Sequence, residues 1–319
     1  RCWNEKYKYV ILFLVALCCF FFSARGQNYH FSQFYDQPVA LNPALTAAYD
    51  GIFRASAAYR SQWYSVTVPF QTFGGGIDAA VYRNNRRQEL IGIGGSFLAD
   101  KAGSLNYTSL QAMITASYIK YIGRSGKHKI GIGLYGGLLH NYLDFSDARW
   151  DEQYMYGHYD PSQSSSELFA TTRQFFFDIG AGVFWSFSPD KRNTFQLGAS
   201  AAHLNCPREV FGESFEQLPI KYNVHFLSRI GITDDFALEP LLYSSWQRRF
   251  SEYTFGMNVE YFQRKNSYTT VFSVGGGLFY RWSDAIVMDV FFNLQNVRLG
   301  VGYDINVSKF VAATHARGG

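Results

Sequence analysis

Charge is scarce in this sequence. Of 319 residues only 17% are Asp, Glu, Lys or Arg, against about 25% in an average soluble domain. Cysteine is scarcer still. Of the four, Cys2, Cys18 and Cys19 lie in the N-terminal segment, so the rest of the chain holds Cys206 alone and cannot close a disulfide within itself. Long apolar runs are missing as well: beyond residue 26 none approaches the ~20 residues of a membrane-crossing helix. With a mean hydropathy of -0.13, that lack excludes a helical membrane bundle. The formal charge of +4 comes from Arg1, Lys6, Lys8 and Arg25 set against Glu5, and the remainder is near balance. No basic surface of the kind nucleic acid requires is indicated. The seven histidines are scattered, without a His-Glu-x-x-His run or paired cysteines, so no metal is signalled.

What the chain does hold is rings and glycine: 18% aromatic residues and 29 Gly, within 47% hydrophobic residues. That content can bury a large core and rules out disorder. Basic residues precede the apolar run Val10 to Phe22, and Ser23-Ala24-Arg25-Gly26 follows with small residues at the two cleavage positions. Residues 1–26 read as an export signal. An uncleaved anchor would need a longer run. A lipoprotein site at Cys18 or Cys19 would need a small residue where Leu17 and Cys18 stand.

From residue 51 onward apolar side chains alternate with small or polar ones. Ile179, Ala181, Val183, Trp185 and Phe187 are separated by Gly180, Gly182, Phe184 and Ser186, and Val297, Leu299, Val301, Tyr303 and Ile305 by Arg298, Gly300, Gly302 and Asp304. Such a period of two marks strands with two different faces. Thirteen are expected, over 52–63, 70–82, 89–100, 105–121, 128–144, 175–187, 194–204, 220–232, 236–247, 253–262, 268–281, 285–293 and 296–306. Most reach the ~9–11 residues of a tilted membrane strand, whereas soluble strands peak near ~5–6.

The face opposite the apolar one carries Asp78, Asp178, His225, Arg229, Glu239, Asn258, Glu260, Asp289, Arg298 and Asp304. A soluble barrel would show these groups to water, and a lipid-immersed one would turn them to its lumen. Periodicity alone fits both. Strand length, the export signal and the aromatic residues near strand ends favour a transmembrane antiparallel β-barrel of the outer membrane, all-β, over 51–319.

Loop lengths agree. With the N-terminus in the periplasm, connections after even strands face the periplasm and should be short. The two longest, 146–174 and 205–219, both follow odd strands. The short turns hold Arg83, Arg86, Arg87, Arg124, Lys127, Lys191 and Arg192, and the long loops are acidic. A basic periplasmic rim is therefore expected, either to meet an acidic partner or headgroups or merely to be solvated. Single-chain bacterial barrels close with an even strand number, so 14 strands are expected, the last lying beyond a sequence that also starts without Met.

No enzyme is expected. Gly131-Ile132-Gly133-Leu134-Tyr135-Gly136 matches a dinucleotide fingerprint in letters only, because it sits inside a period-two strand rather than between a strand and a helix. Cys206 has no base nearby in sequence. No cofactor and no catalytic residue is indicated. Residues 27–50, with Pro38 and Pro43, break the alternation and read as a periplasmic strap or plug that docks on the barrel.

The stretch His30-Phe31-Ser32-Gln33-Phe34, then Pro38, Asn42-Pro43-Ala44, then Tyr59-Arg60-Ser61-Gln62-Trp63 and Asp78, resembles the N-terminal pattern of the PorP/SprF membrane proteins of the Bacteroidota type IX secretion system. The strand rhythm continues the resemblance to the end, although the family finishes in an amphipathic strand with a terminal aromatic. The resemblance implies a non-enzymatic component of secretion and gliding, surrounded by outer-membrane lipid. Its implied partner is a secreted adhesin with a C-terminal sorting domain, or a periplasmic peptidoglycan-binding OmpA-like component. His30, Phe31, Ser32, Gln33, Phe34, Asn42, Pro43, Arg60, Gln62 and Trp63 would contact that partner or dock the strap. A small-solute pore with an N-terminal plug is the alternative.

Overall fold

The computed structural model describes residues 31–62, 68–103, 106–123, 126–143, 153–155, 158–160, 173–211, 214–266 and 269–308. The expected export signal, most of the 146–174 loop and the C-terminal end lie outside them. Thirteen long strands form one antiparallel sheet. In chain order these are β1 (Phe53–Gln62), β2 (Phe70–Asn84), β3 (Glu89–Ala102), β4 (Tyr107–Ile122) and β5 (His128–Tyr142), then β8 (Arg173–Phe187) and β9 (Thr194–Ala202). They continue with β12 (Lys221–Gly231), β13 (Phe236–Gln247), β14 (Phe250–Asn266), β15 (Thr269–Arg281), β16 (Ala285–Leu294) and β17 (Val297–Asn306). Two small hairpins, β6 (Tyr154–Met155) with β7 (His158–Tyr159) and β10 (Arg208–Phe211) with β11 (Ser214–Gln217), sit in the two longest connections. Each wall strand pairs with its neighbour in the chain, so the sheet is an up-and-down meander with β1 and β17 as its ends.

The two faces resolve what the periodicity leaves open. On β5, Ile130, Ile132, Leu134 and Leu138 point outward and are exposed, and Gly131, Gly133, Tyr135, Gly137 and Asn141 point inward. Leu134 is 65% and Val301 78% exposed, while Asp178 and His225 are 0% exposed. A soluble protein almost never buries charge in this way while baring its aliphatic side chains. The chain is a lipid-facing barrel whose polar side lines the lumen. Strands run from 9 to 17 residues, enough to cross a bilayer with tilt.

Residues 31–50 lie in the lumen. They fold as a 3-10 turn at Phe34–Asp36, a single helical turn at Pro38–Leu41 and a second 3-10 turn at Pro43–Leu45. Pro38 and Pro43 each open a helical turn, where a missing N–H leaves no bond unmade. The strap emerges at Gly51 beside the short-turn rim, where Arg83 donates to the Gly51 carbonyl. Its other end reaches the half nearer the long loops.

Candidate functional site

The centre of the strap is stapled to the wall by Asn42, which is 0% exposed. Its Nδ2 donates to the carbonyls of Val183 on β8 (3.0 Å) and Ala199 on β9 (3.2 Å), and its Oδ1 accepts from the Ala44 N–H at 2.9 Å. Glycine makes this approach feasible. A Cβ on Gly182 would overlap Asn42 Oδ1, and one on Gly133 would overlap the backbone of Pro43 and Ala44. Gly133, one glycine of the run inside β5 that mimics a nucleotide motif, thus contributes one half of the strap's seat.

Further polar contacts follow on both sides. Ser117 Oγ donates to the Thr46 carbonyl at 2.6 Å, and Thr46 and Thr115 hydroxyls meet at 2.9 Å. Asp78 accepts the Ala47 N–H (2.6 Å) and two bonds from Arg54, whose guanidinium also donates to the Leu45 carbonyl. These side chains close the backbone groups that short turns leave open.

Toward β17, one carboxylate oxygen gathers three donors. Asp304 Oδ2 accepts from Arg60 on β1 at 2.6 Å, Arg281 on β15 at 2.7 Å and Ser32 of the strap at 2.9 Å. Arg281 also pairs with Asp284 at 2.5 Å. Tyr35 donates to Asp289 on β16, and Phe34 stacks on Tyr243 with centroids 5.1 Å apart. The Arg298 guanidinium lies 3.8 Å over Phe291 and 3.3 Å from Asp36. Arg229 bridges Glu239 (3.5 Å) and Glu260 (3.0 Å). Asp178, fully buried, accepts from Tyr135 (2.8 Å) and Gln111 (3.3 Å) and holds His203 Nδ1 at 3.0 Å. Charges removed from water persist only when paired in this fashion.

Of the residues singled out in the sequence, Ser32 and Arg60 meet on Asp304, and Asn42 and Pro43 share the seat over Gly182. Phe31 packs against Gly74, and Gln33 lies along Gly300 and Gly302. Phe34 is buried, and Gln62 ends β1 opposite Phe70. His30, Trp63 and Arg124 lie outside the described residues. Phe31, Ser32, Gln33, Phe34, Asn42 and Pro43 thus all lie against the inner face of the wall. Tyr35, Asp36, Arg281 and His203 belong to the same network, and their signal in the sequence was only that they face inward or sit in the strap.

The short-turn rim carries exposed Arg83, Arg86, Arg87 and Lys191. Lys127 accepts the Ser188 N–H on its carbonyl, and Arg192 pairs with Asp234. Asp190 accepts from the Asn193 amide and from the Arg192 N–H, which together hold its carboxyl below the usual value. Among the described side chains the exposed basic groups of this end gather on the β2–β3 turn, and Asp190, Asp234 and Asp235 stand on its other turns. Among the described residues no group of three or more His, Cys, Asp or Glu is arranged to hold a metal ion.

Among curated proteins none matches the sequence. Solved structures similar to the chain include the Ralstonia pickettii toluene transporter TbuX, at 12% identity and a TM-score of 0.49, over 85% of this chain and 88% of that one. A mutant porin of Rh. blastica aligns at 9% identity and a TM-score of 0.29, over 80% and 94%. The sequence profile of the type IX secretion system membrane protein PorP/SprF matches residues 23–317. With nearly its whole length matched, the chain belongs to the PorP/SprF family of type IX secretion system membrane proteins.

Proposed function

We propose that this barrel acts through its rims as a docking partner in type IX secretion, without catalysis and without passing small solutes through its lumen. The observation that carries this reading is the strap. Asn42, Ala44 and Thr46 are all fully buried within the lumen, and hydrogen bonds tie the strap to β1, β2, β4, β8, β9, β16 and β17. An interior so occupied favours work done at the two ends. At the periplasmic end the exposed Arg83, Arg86 and Arg87 suit an acidic surface of a peptidoglycan-binding OmpA-like component. At the other end the long acidic loops suit a secreted adhesin bearing a C-terminal sorting domain.

Pull-down of the tagged protein from native outer membrane, followed by mass spectrometry, tests the reading. One of these two partner types should be enriched. Channel recordings in planar bilayers test the alternative of a solute pore: steady open conductance with no co-purifying protein would overturn the docking role.

A further inference from the structure

Tyr222 and Trp246 face away from the lumen. Asn223 and His225 on β12 are buried on its inner face, so Tyr222, one place earlier, points outward and is 51% exposed. Trp246 on β13 pairs with it in register and shares its face, and its Nε1 donates to the Tyr253 hydroxyl at 2.8 Å. β13 is the ninth strand of the wall, so its turn to β14 lies at the long-loop end, together with the 205–219 connection after the seventh. Rings on the outer face near the strand ends mark the level where acyl chains give way to headgroups. A cleft of about 1030 Å³ opens here, and Tyr222, Trp246, Leu218 and Ile220 line it with Arg208 and Arg248.

The cleft is basic. Arg208 and Arg248 are both exposed, and Arg249, also exposed, follows on the same turn. No carboxylate stands among the described residues that line it. The turn from β13 to β14 consists of Arg248 and Arg249 alone, between the paired Gln247 and Phe250. Arg248 holds a left-handed φ of 54°, a conformation that two-residue hairpin turns ordinarily give to Gly, Asn or Asp. Local preference therefore does not account for two arginines at this place, whereas a ligand of opposite charge does.

A guanidinium matches phosphate through a planar fork of donors, and such bonds strengthen where apolar surface lowers the local dielectric. Leu218, Ile220 and the two rings supply apolar surface within the same cleft. A soluble anion would leave that surface uncovered. A lipid with an anionic head occupies both parts. We propose that this cleft holds the phosphate of an outer-leaflet lipid headgroup, with the acyl chains along the outward face of β12 and β13.

Full-chain protein in detergent micelles would be mixed with bis-phosphorylated lipid A and, separately, with the same lipid dephosphorylated, and the bound lipids counted by native mass spectrometry. The phosphorylated lipid should survive a detergent wash and the dephosphorylated one should not. Arg208→Gln with Arg248→Gln should weaken retention by about tenfold or more. Lys101→Gln with Arg173→Gln, exposed at the same end on β3 and β8, should leave it unchanged. A heat-dependent gel shift kept by each variant shows that it folds. Equal retention of the two lipids by the unaltered protein overturns the proposal, as does retention undiminished in the folded Arg208 and Arg248 variant. An equal loss in the Lys101 and Arg173 variant places the phosphate elsewhere and overturns it too. If the Arg208 and Arg248 substitutions keep the lipid and remove instead a protein recovered from native outer membrane, the cleft belongs to a protein partner and the proposal fails.

Discussion

Arg60 on β1 and Asp304 on β17 meet at 2.6 Å, although no backbone ladder joins the two strands among the described residues. Both side chains are nearly inaccessible, and Arg281 and Ser32 share the same carboxylate oxygen. The ends of the sheet are thus held together by ions and by the strap. Asp304→Asn would take from the buried Arg60 and Arg281 the carboxylate they share, leaving Arg281 with Asp284, and the expected loss is about 3 kcal/mol. Urea unfolding in lipid vesicles measures it. A loss no larger than that of an exposed pair, about 1 kcal/mol or less, would remove this role.

Asn42 is expected to be the point at which the plug can be loosened with least damage to the wall. In Asn42→Ala the Ala44 N–H loses its partner, which costs about 1–3 kcal/mol, while the β8–β9 ladder keeps its own bonds. Brief channel openings should appear in bilayer recordings of this variant and be absent from the parent. Identical traces would mean that the strap is held mainly elsewhere.

Gly182→Val attacks the same seat from the wall. Its side chain would occupy the position of Asn42 Oδ1, so strap and wall cannot both keep their places. The barrel should still insert, because Gly182 pairs in register with Gly133 and Ser200 through the backbone alone. Protease added to the purified variant should cut within residues 31–50, which the parent protects. Equal protection in both would show that the seat tolerates a side chain.

Much of the wall could be read from the sequence, and the reason is local. A strand between lipid and lumen repeats its two environments every second residue, so Ile130, Ile132 and Leu134 announce themselves without knowledge of any neighbour. Thirteen strands were expected and thirteen stand in the wall, with β14 reaching Phe250–Asn266 where 253–262 was expected. Polar Ser251 and Glu252 extend the ladder at one end, and a bulge between Gln263 and Asn266 prolongs it at the other. Neither leaves an apolar alternation to detect.

The lumen was legible only as a list of inward polar residues. That Asp304 would receive Arg60 depends on how close the two ends of the sheet come, and that Asp178 would hold His203 depends on which residue past the end of β9 stands beside β8. Alternation says nothing of either. Ser32, Asn42 and Arg60 were singled out by resemblance alone, and their physical reason appears only when the strap is seen inside the wall.

Reversal of Arg86 and Arg87 to Glu tests the proposed docking role of the short-turn rim. Both are exposed on a turn held by Asn84, whose Oδ1 accepts both of their N–H groups, so the fold should be unaffected. Any acidic partner recovered at low ionic strength should be lost, as should its sensitivity to added salt. Undiminished recovery would move the docking site away from this rim.

Asp190 should titrate below the ordinary carboxylate value of about 3.9, because the Asn193 amide first, and then the Arg192 N–H, favour its ionised form. A depressed folded value stabilises the turn above the unfolded pKa, and the contribution fades as pH falls through the folded value. NMR titration of the carboxyl in Asn193→Ala should find the midpoint raised. An unchanged midpoint would discard the side-chain bond as the main cause.

The strap also works as a gauge. Ala47 bonds to β2, Thr46 to β4, Asn42 to β8 and β9, Phe34 stacks on β13, Tyr35 bonds to β16 and Ser32 to β17. A segment of sixteen residues thereby touches most of the circumference from within, in nearly the order in which the strands follow one another. Its length fixes how far apart those strands can stand. A wall with a strand more or fewer between β2 and β17 would pull at least one of these contacts out of reach, so the bore of the barrel is written partly in a stretch of chain that is not a strand at all.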